Sequence, residues 1–224
     1  MAHRSPQVVL ELLQARPVVT LDDIEEALGG ASRATAFRYM RQVPYRRSYN
    51  HNGRYYALFE PARYDRLGLY SHGDVHFSKD GTLGATVRRL VREAEAGHTH
   101  REVQELLRVR VQAFLLDAVR KGELGRERLA EVYVYLHADA EVRRQQLMRR
   151  QGLLDKAGGD ASTPSEVSDN TVIQVLLTLV RHPGSTVAEV VRRLRGHSPP
   201  TGGAQVQAVF DRYGLGEKGG SRIS

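Results

Sequence analysis

Thr20-Leu21-Asp22-Asp23, Thr99-His100-Arg101-Glu102 and Thr186-Val187-Ala188-Glu189 are three forms of one local instruction. In each, a threonine stands three residues ahead of an acid. The hydroxyl at a helix N-cap accepts a free N–H of the first turn, and the acid reaches back to the N–H of the cap. Each box follows an apolar helical stretch and a short break: Arg16-Pro17, Ala96-Gly97 and His182-Pro183-Gly184. Each opens a short amphipathic helix that is followed by a turn and a further helical stretch. The chain therefore reads as three helical modules in tandem.

Composition sets the outer limits. The 224 residues suffice for two or three small domains, and a hydrophobic content of 41% suffices for packed cores. No apolar run approaches the ~20 residues that span a bilayer. The start, Met1-Ala2-His3-Arg4-Ser5-Pro6, lacks the apolar core of a signal peptide, so a cytoplasmic location is expected. The absence of cysteine removes disulfides, thiolate zinc sites and cysteine nucleophiles. The net charge of +7 favours a polyanionic partner. Only four of the 33 basic residues are Lys, and an arginine bias can also come from base composition, so placement matters more than the total.

In the first module, Ser5-Pro6 starts a helix whose apolar stripe is Val8, Val9, Leu12 and Leu13. Val18-Val19 suits a short strand. Ile24 and Leu28 anchor the second helix, which Gly29-Gly30 ends. Ser32 then caps a third helix over 32–42. Ala36, Met40 and Val43 face inward, and Arg33, Thr35, Phe37, Arg38, Tyr39 and Arg41 occupy the other faces. Arginine bridges guanine O6 and N7, while Thr and Phe suit a thymine methyl, so this is the chemistry of a DNA-reading helix. Two aromatic-rich strand patterns over 45–58 flank Asn52-Gly53, a strong hairpin signal. The hairpin carries Arg46, Arg47, Asn50, His51, Asn52 and Arg54, suited to phosphates or the minor groove.

Helix, short strand, helix, helix, hairpin is an order that resembles the winged-helix proteins across residues 1–60. The resemblance implies a DNA-binding module with the 45–58 hairpin as its wing, of the kind found in bacterial regulators and mobile-element proteins. Residues 61–81 read as a connector. His72, Asp74 and His76 alternate there, but Gly73 interrupts them, and surface or packing roles are expected with no metal site. Residues 82–151 again resemble a winged helix. A helix over 82–96 leads to the Thr99 helix, an apolar helix over 111–121, and strands at 124–128 and 131–136, with a charged helix at 139–151 trailing. Arg108, Arg110 and Gln112, with Arg126 and Arg128 on the hairpin, are the candidate DNA contacts of this module. Phe114, Leu115, Leu116 and Val119 make its third helix apolar on more than one face, which suits a dimer or an intermodule contact better than base reading. Residues 152–167 read as a flexible linker, 168–215 as a plain helix-turn-helix module and 216–224 as a frayed end.

The expected class is thus mainly α with small β-hairpin wings: two tandem winged-helix modules and a C-terminal helix-turn-helix. No phosphate-binding loop GxxxxGK[ST], HExxH helix or GxSxG elbow is present, so an enzyme and a cofactor are not expected. The expected partner is double-stranded DNA, with a homodimer as a further expectation. The expected role is a transcriptional regulator. The alternative is a non-catalytic accessory subunit of a mobile-element or defence system, beside a separate catalytic protein.

Overall fold

The computed structural model describes residues 4–129, 132–159, 167–197 and 201–215. They form ten helices and eight short strands, the strands in small antiparallel sheets, so the protein is mainly α. The chain divides into two compact units, residues 1–90 and 91–224.

All three capping boxes form. The Asp23 N–H donates to Thr20 Oγ1 (3.2 Å) and the Thr20 N–H to Asp23 Oδ2 (2.7 Å). At the second box the same pair of bonds measures 3.2 and 2.8 Å between Thr99 and Glu102. At the third it measures 3.4 and 2.9 Å between Thr186 and Glu189. Each starts the helix expected of it: α2 (Leu21–Ala27), α5 (His100–Leu107) and α9 (Val187–Leu194).

In the first unit, α1 (Pro6–Ala15), β1 (Val19–Thr20), α2 and α3 (Arg33–Met40) precede β2 (Tyr45–Arg47) and β3 (Tyr55–Leu58). The sheet order is β1-β3-β2. Leu13, Ile24, Leu28 and Met40 are fully buried in one core, each contributing roughly 1.5–3 kcal/mol by its removal from water. The stretch read as a connector holds a second hairpin, β4 (Leu69–His72) and β5 (Val75–Ser78). His72 pairs with Val75, so Gly73-Asp74 is a two-residue turn, with Gly73 at φ 60°. α4 (Leu83–Glu93) follows and crosses the division between the units.

The next elements repeat the first plan. β6 (His98–Thr99), α5, α6 (Gln112–Arg120), β7 (Leu124–Leu129) and β8 (Val132–His137) give a sheet ordered β6-β8-β7. The strand registers agree as well. Thr20 lies opposite Tyr55, and Tyr56 sits between Val19 and Arg47. Thr99 lies opposite Val134, and Tyr135 sits between His98 and Arg126. The repetition seen in the first two capping boxes therefore extends to a five-element order of strand, helix, helix, strand, strand.

α7 runs from Ala140 to Gly159, well into the stretch read as linker; residues 160–166 of that stretch, and 216–224 of the C-terminal end, lie outside the described residues. α7 is no free charged helix. Gln146 is buried, accepts the His137 N–H (2.7 Å) and donates to the Ala94 carbonyl (2.6 Å). Arg150 is also buried and makes a two-bond pair with Glu102, at 3.1 and 2.8 Å. An arginine that a sequence pattern places on a solvated face thus anchors α7 to α5. The last three helices, α8 (Asp169–Arg181), α9 and α10 (Gly203–Tyr213), share a core of Val175, Val190, Val206 and Val209.

Candidate nucleic-acid interface

α3 is the most basic exposed helix face of the first unit, and its position follows from local chemistry. Thr20 holds the Asp23 carboxyl below its usual range through the hydroxyl and N–H bonds of the box, with Arg16 adding its charge. Gly29 and Gly30, at φ 67° and 69°, then turn the chain between α2 and α3. Ser32 caps α3, accepting the Thr35 N–H at 3.4 Å and donating to Thr35 Oγ1 at 3.1 Å. Ala36 and Met40 are buried, which leaves Arg33, Arg38 and Arg41 exposed on the outer side.

Not every residue expected on that face is presented. Phe37 is half-buried, its ring edge-on to Tyr56 with centroids 6.4 Å apart, so packing against β3 takes up much of the ring expected to meet a thymine methyl. Arg38 lies beside the Tyr39 ring, 5.1 Å from its centroid, and keeps its exposed position.

The β2-β3 hairpin forms around Asn52-Gly53, with a longer loop than that dipeptide alone. The strands end at Arg47 and resume at Tyr55, and a short helical turn, His51–Gly53, fills the loop. Asn50 is drawn across to the second hairpin. Its Nδ2 donates to the Asp74 carbonyl (2.6 Å), and its Oδ1 accepts the His76 N–H (3.0 Å). In the same loop His51, Asn52 and Gly53 all stand at positive φ. His51 pairs with Asp74 at 3.2 Å. Arg46 donates to the Lys79 carbonyl (3.0 Å) and lies over the Phe59 ring (3.9 Å). Arg46, Asn50 and His51 thus hold the second hairpin, and Arg47 braces the loop by donating to the Gly53 and Asn52 carbonyls. Arg54 is exposed. His72, Asp74 and His76 do not converge: His76 is buried and bonded to Ser71 Oγ at 2.9 Å. Among the described residues no group of His, Asp and Glu gathers as metal ligands would.

Between the starts of α2 and α3 and the hairpin lies a cleft of about 310 Å³. Arg33, Arg47 and Arg54 line it, with Asp22 as the one carboxylate and Asn52 at its edge. Three guanidiniums against one acid give the cleft a net positive field, suited to an anionic oxygen ligand.

The second group of elements presents a different surface. Arg108 ends α5 in the left-handed region at φ 56°, and Arg108, Arg110 and Gln112 are all exposed. Arg126 stacks on the Tyr133 ring at 3.6 Å, and Arg128 is exposed. α6 has no side-chain cap, its Leu115 and Ala118 are buried, and Phe114 stands outward at 43% exposure. The start of α5 is covered by the end of α9. Arg101 donates to the Arg193 and Arg195 carbonyls (2.5 and 2.8 Å), and Thr99 Oγ1 donates to the Gly196 carbonyl. Burial pushes the His100 imidazole below its ordinary value, with Arg101 and His197 adding to the effect. The matching place in the first unit, at Thr20 and Asp22, borders the open cleft. No helix among the described residues is long and apolar enough to cross a membrane.

The sequence carries a signal for the β4-β5 hairpin within the stretch expected to be a connector, since Gly73-Asp74 between two strand-forming runs is itself a turn dipeptide. No comparable signal marks Arg46, Asn50 or Arg150 as structural, because their partners lie far along the chain.

No family model, curated protein or solved structure matches this chain.

Proposed function

We propose that this chain binds double-stranded DNA through winged-helix modules, with α3 as the reading helix and the β2-β3 hairpin as the wing, and acts without catalysis as a transcriptional regulator. The observation that carries the reading is the Ser32-capped α3, which exposes Arg33, Arg38 and Arg41 beside a cleft lined by Arg47 and Arg54. In this reading α3 enters the major groove, where Arg38 and Arg41 meet base edges. The cleft takes a backbone phosphate, held by Arg33 and Arg54, with Arg47 adding its charge while it braces the loop. Arg46, Asn50 and His51 position the wing and do not touch DNA. Arg108, Arg110, Gln112 and Arg128 supply weaker phosphate contacts, because the start of α5 faces protein.

A second role, an accessory subunit that marks DNA for a separate catalytic protein, is favoured by the second group of elements, where the start of α5 packs on the carbonyls at the end of α9 instead of bordering an arginine-lined cleft. Selection of bound duplexes from a random pool, followed by anisotropy titration over a salt series, tests the DNA reading. Affinity falls steeply with salt for a phosphate-contacting protein. Arg38→Ala costs ~1–3 kcal/mol on the selected site, whereas Arg54→Ala weakens all sequences alike. Salt-insensitive or absent binding, or two variants indistinguishable from wild type, overturns the assignment. Genomic matches to the selected site at promoters support the regulator; matches at repeated ends support the accessory role.

A further inference from the structure

α8 is apolar on two sides, and the described residues of the chain bury one of them. Thr171, Val172 and Val175 are buried, and Val172 and Val175 belong to the core shared with α9 and α10. On another side Ile173, Leu177 and Val180 stand 52%, 48% and 76% exposed. Their spacing of four and three residues sets them in one line along the helix. Scattered single apolar residues on a surface carry no meaning, but a continuous stripe of three marks a contact.

The ends of the stripe indicate what covers it. Asp169, Ile173, Leu177 and Arg181 form a row at four-residue intervals: acid, apolar, apolar, base. Asp169 and Arg181 have no ion pair among the described residues, and Asp169 and Arg181 are both exposed. Turned end for end, this row complements itself. The acid meets the base, and Ile173 meets Leu177. A two-fold axis brings the same patch of two copies together in this antiparallel sense, so every pairing occurs twice.

We propose that α8 is the surface through which two copies of this chain associate, packed antiparallel so that Asp169 of each copy meets Arg181 of the other across an Ile173-Leu177-Val180 seam. The apolar seam supplies the attraction and the end charges fix direction and register. The inference is independent of DNA binding and goes beyond it.

The test is sedimentation of the full chain over a wide concentration range, without DNA. Wild type shifts from monomer to dimer as concentration rises, and Leu177→Glu, altered at an exposed site outside the core, stays monomeric with an unchanged circular dichroism spectrum. Asp169→Arg places like charges together at both ends of the seam and weakens the dimer by about tenfold, and Arg181→Asp does the same. Each charge also complements the dipole of its own helix, so either variant alone can lose some helix stability. Mixing the two variants separates these effects: the mixed dimer regains both opposite-charge pairs, and its association returns towards that of wild type. A wild-type chain that stays monomeric throughout overturns the proposal, whether another segment or another protein covers the stripe. So does an Asp169→Arg plus Arg181→Asp mixture no stronger than either variant alone.

Discussion

Replacing Arg150 by methionine leaves a buried carboxylate without its main partner. Glu102 and Arg150 are each 5% exposed and share two hydrogen bonds, at 2.8 and 3.1 Å. Methionine keeps much of the apolar stem, so little packing is lost with the charge. Breaking one partner of a buried pair costs ~3–5 kcal/mol. Here Glu102 keeps the Thr99 N–H at 2.8 Å and His98 at 3.6 Å, which sets the expectation at the lower end, about 3 kcal/mol. Hydrogen exchange under native conditions reads this region by region. Protection of the α5 and β8 amides in Arg150→Met falls by roughly a hundredfold at neutral pH, while the first unit is unchanged. The effect depends on pH in a defined direction. Burial pushes the Glu102 carboxyl up, but the His98 and Arg150 hydrogen bonds, the Arg150 charge and the Thr99 N–H outweigh it and hold the group below the ordinary 4.5. A carboxyl depressed in the folded state stabilises fully above its unfolded value, and that stability is lost as pH falls through the folded value. The gap between wild type and variant therefore narrows on acidification below 4.5. A change under about threefold at neutral pH, or a gap that persists in acid, would refute the anchoring of α7 on α5 by this pair.

Three further outcomes are expected. Asn50→Ala removes the bonds that join the two hairpins of the first unit and strands the His76 N–H, at a cost of ~1–3 kcal/mol readable as a lowered urea midpoint of that unit. Gly53→Ala puts a Cβ at φ 67° and against Arg47 Nε, so it destabilises the loop by roughly 1–2 kcal/mol, and duplex affinity measured by anisotropy drops with it. Arg101→Ala removes the bonds to the Arg193 and Arg195 carbonyls, and the α9 amides then exchange with solvent faster than in wild type; exchange at an unchanged rate means these bonds do not hold α9 in place.

The sequence by itself determined what short-range chemistry determines. Three threonine–acid pairs specified the starts of α2, α5 and α9, since every atom of a capping box lies within four residues. Ser32 and the periodic Ala36 and Met40 specified α3 and which of its arginines stay outside. The candidate site was legible to that extent. Only tertiary structure decided which charged residues are free. Arg46, Arg47 and Arg54 look alike along one hairpin, yet Lys79, thirty-three positions away, engages the first, the loop carbonyls engage the second, and the third stays exposed. Arg149 and Arg150 are neighbours on one charged helix, and the helical rotation between them puts Arg149 in water and Arg150 against Glu102. The covering of α5 by the α9 carbonyls spans more than ninety residues. Backbone bonds within one turn are encoded by identity and spacing. The partner of a long cationic side chain depends on which distant carbonyl or carboxylate the fold brings within reach, and no local pattern carries that information.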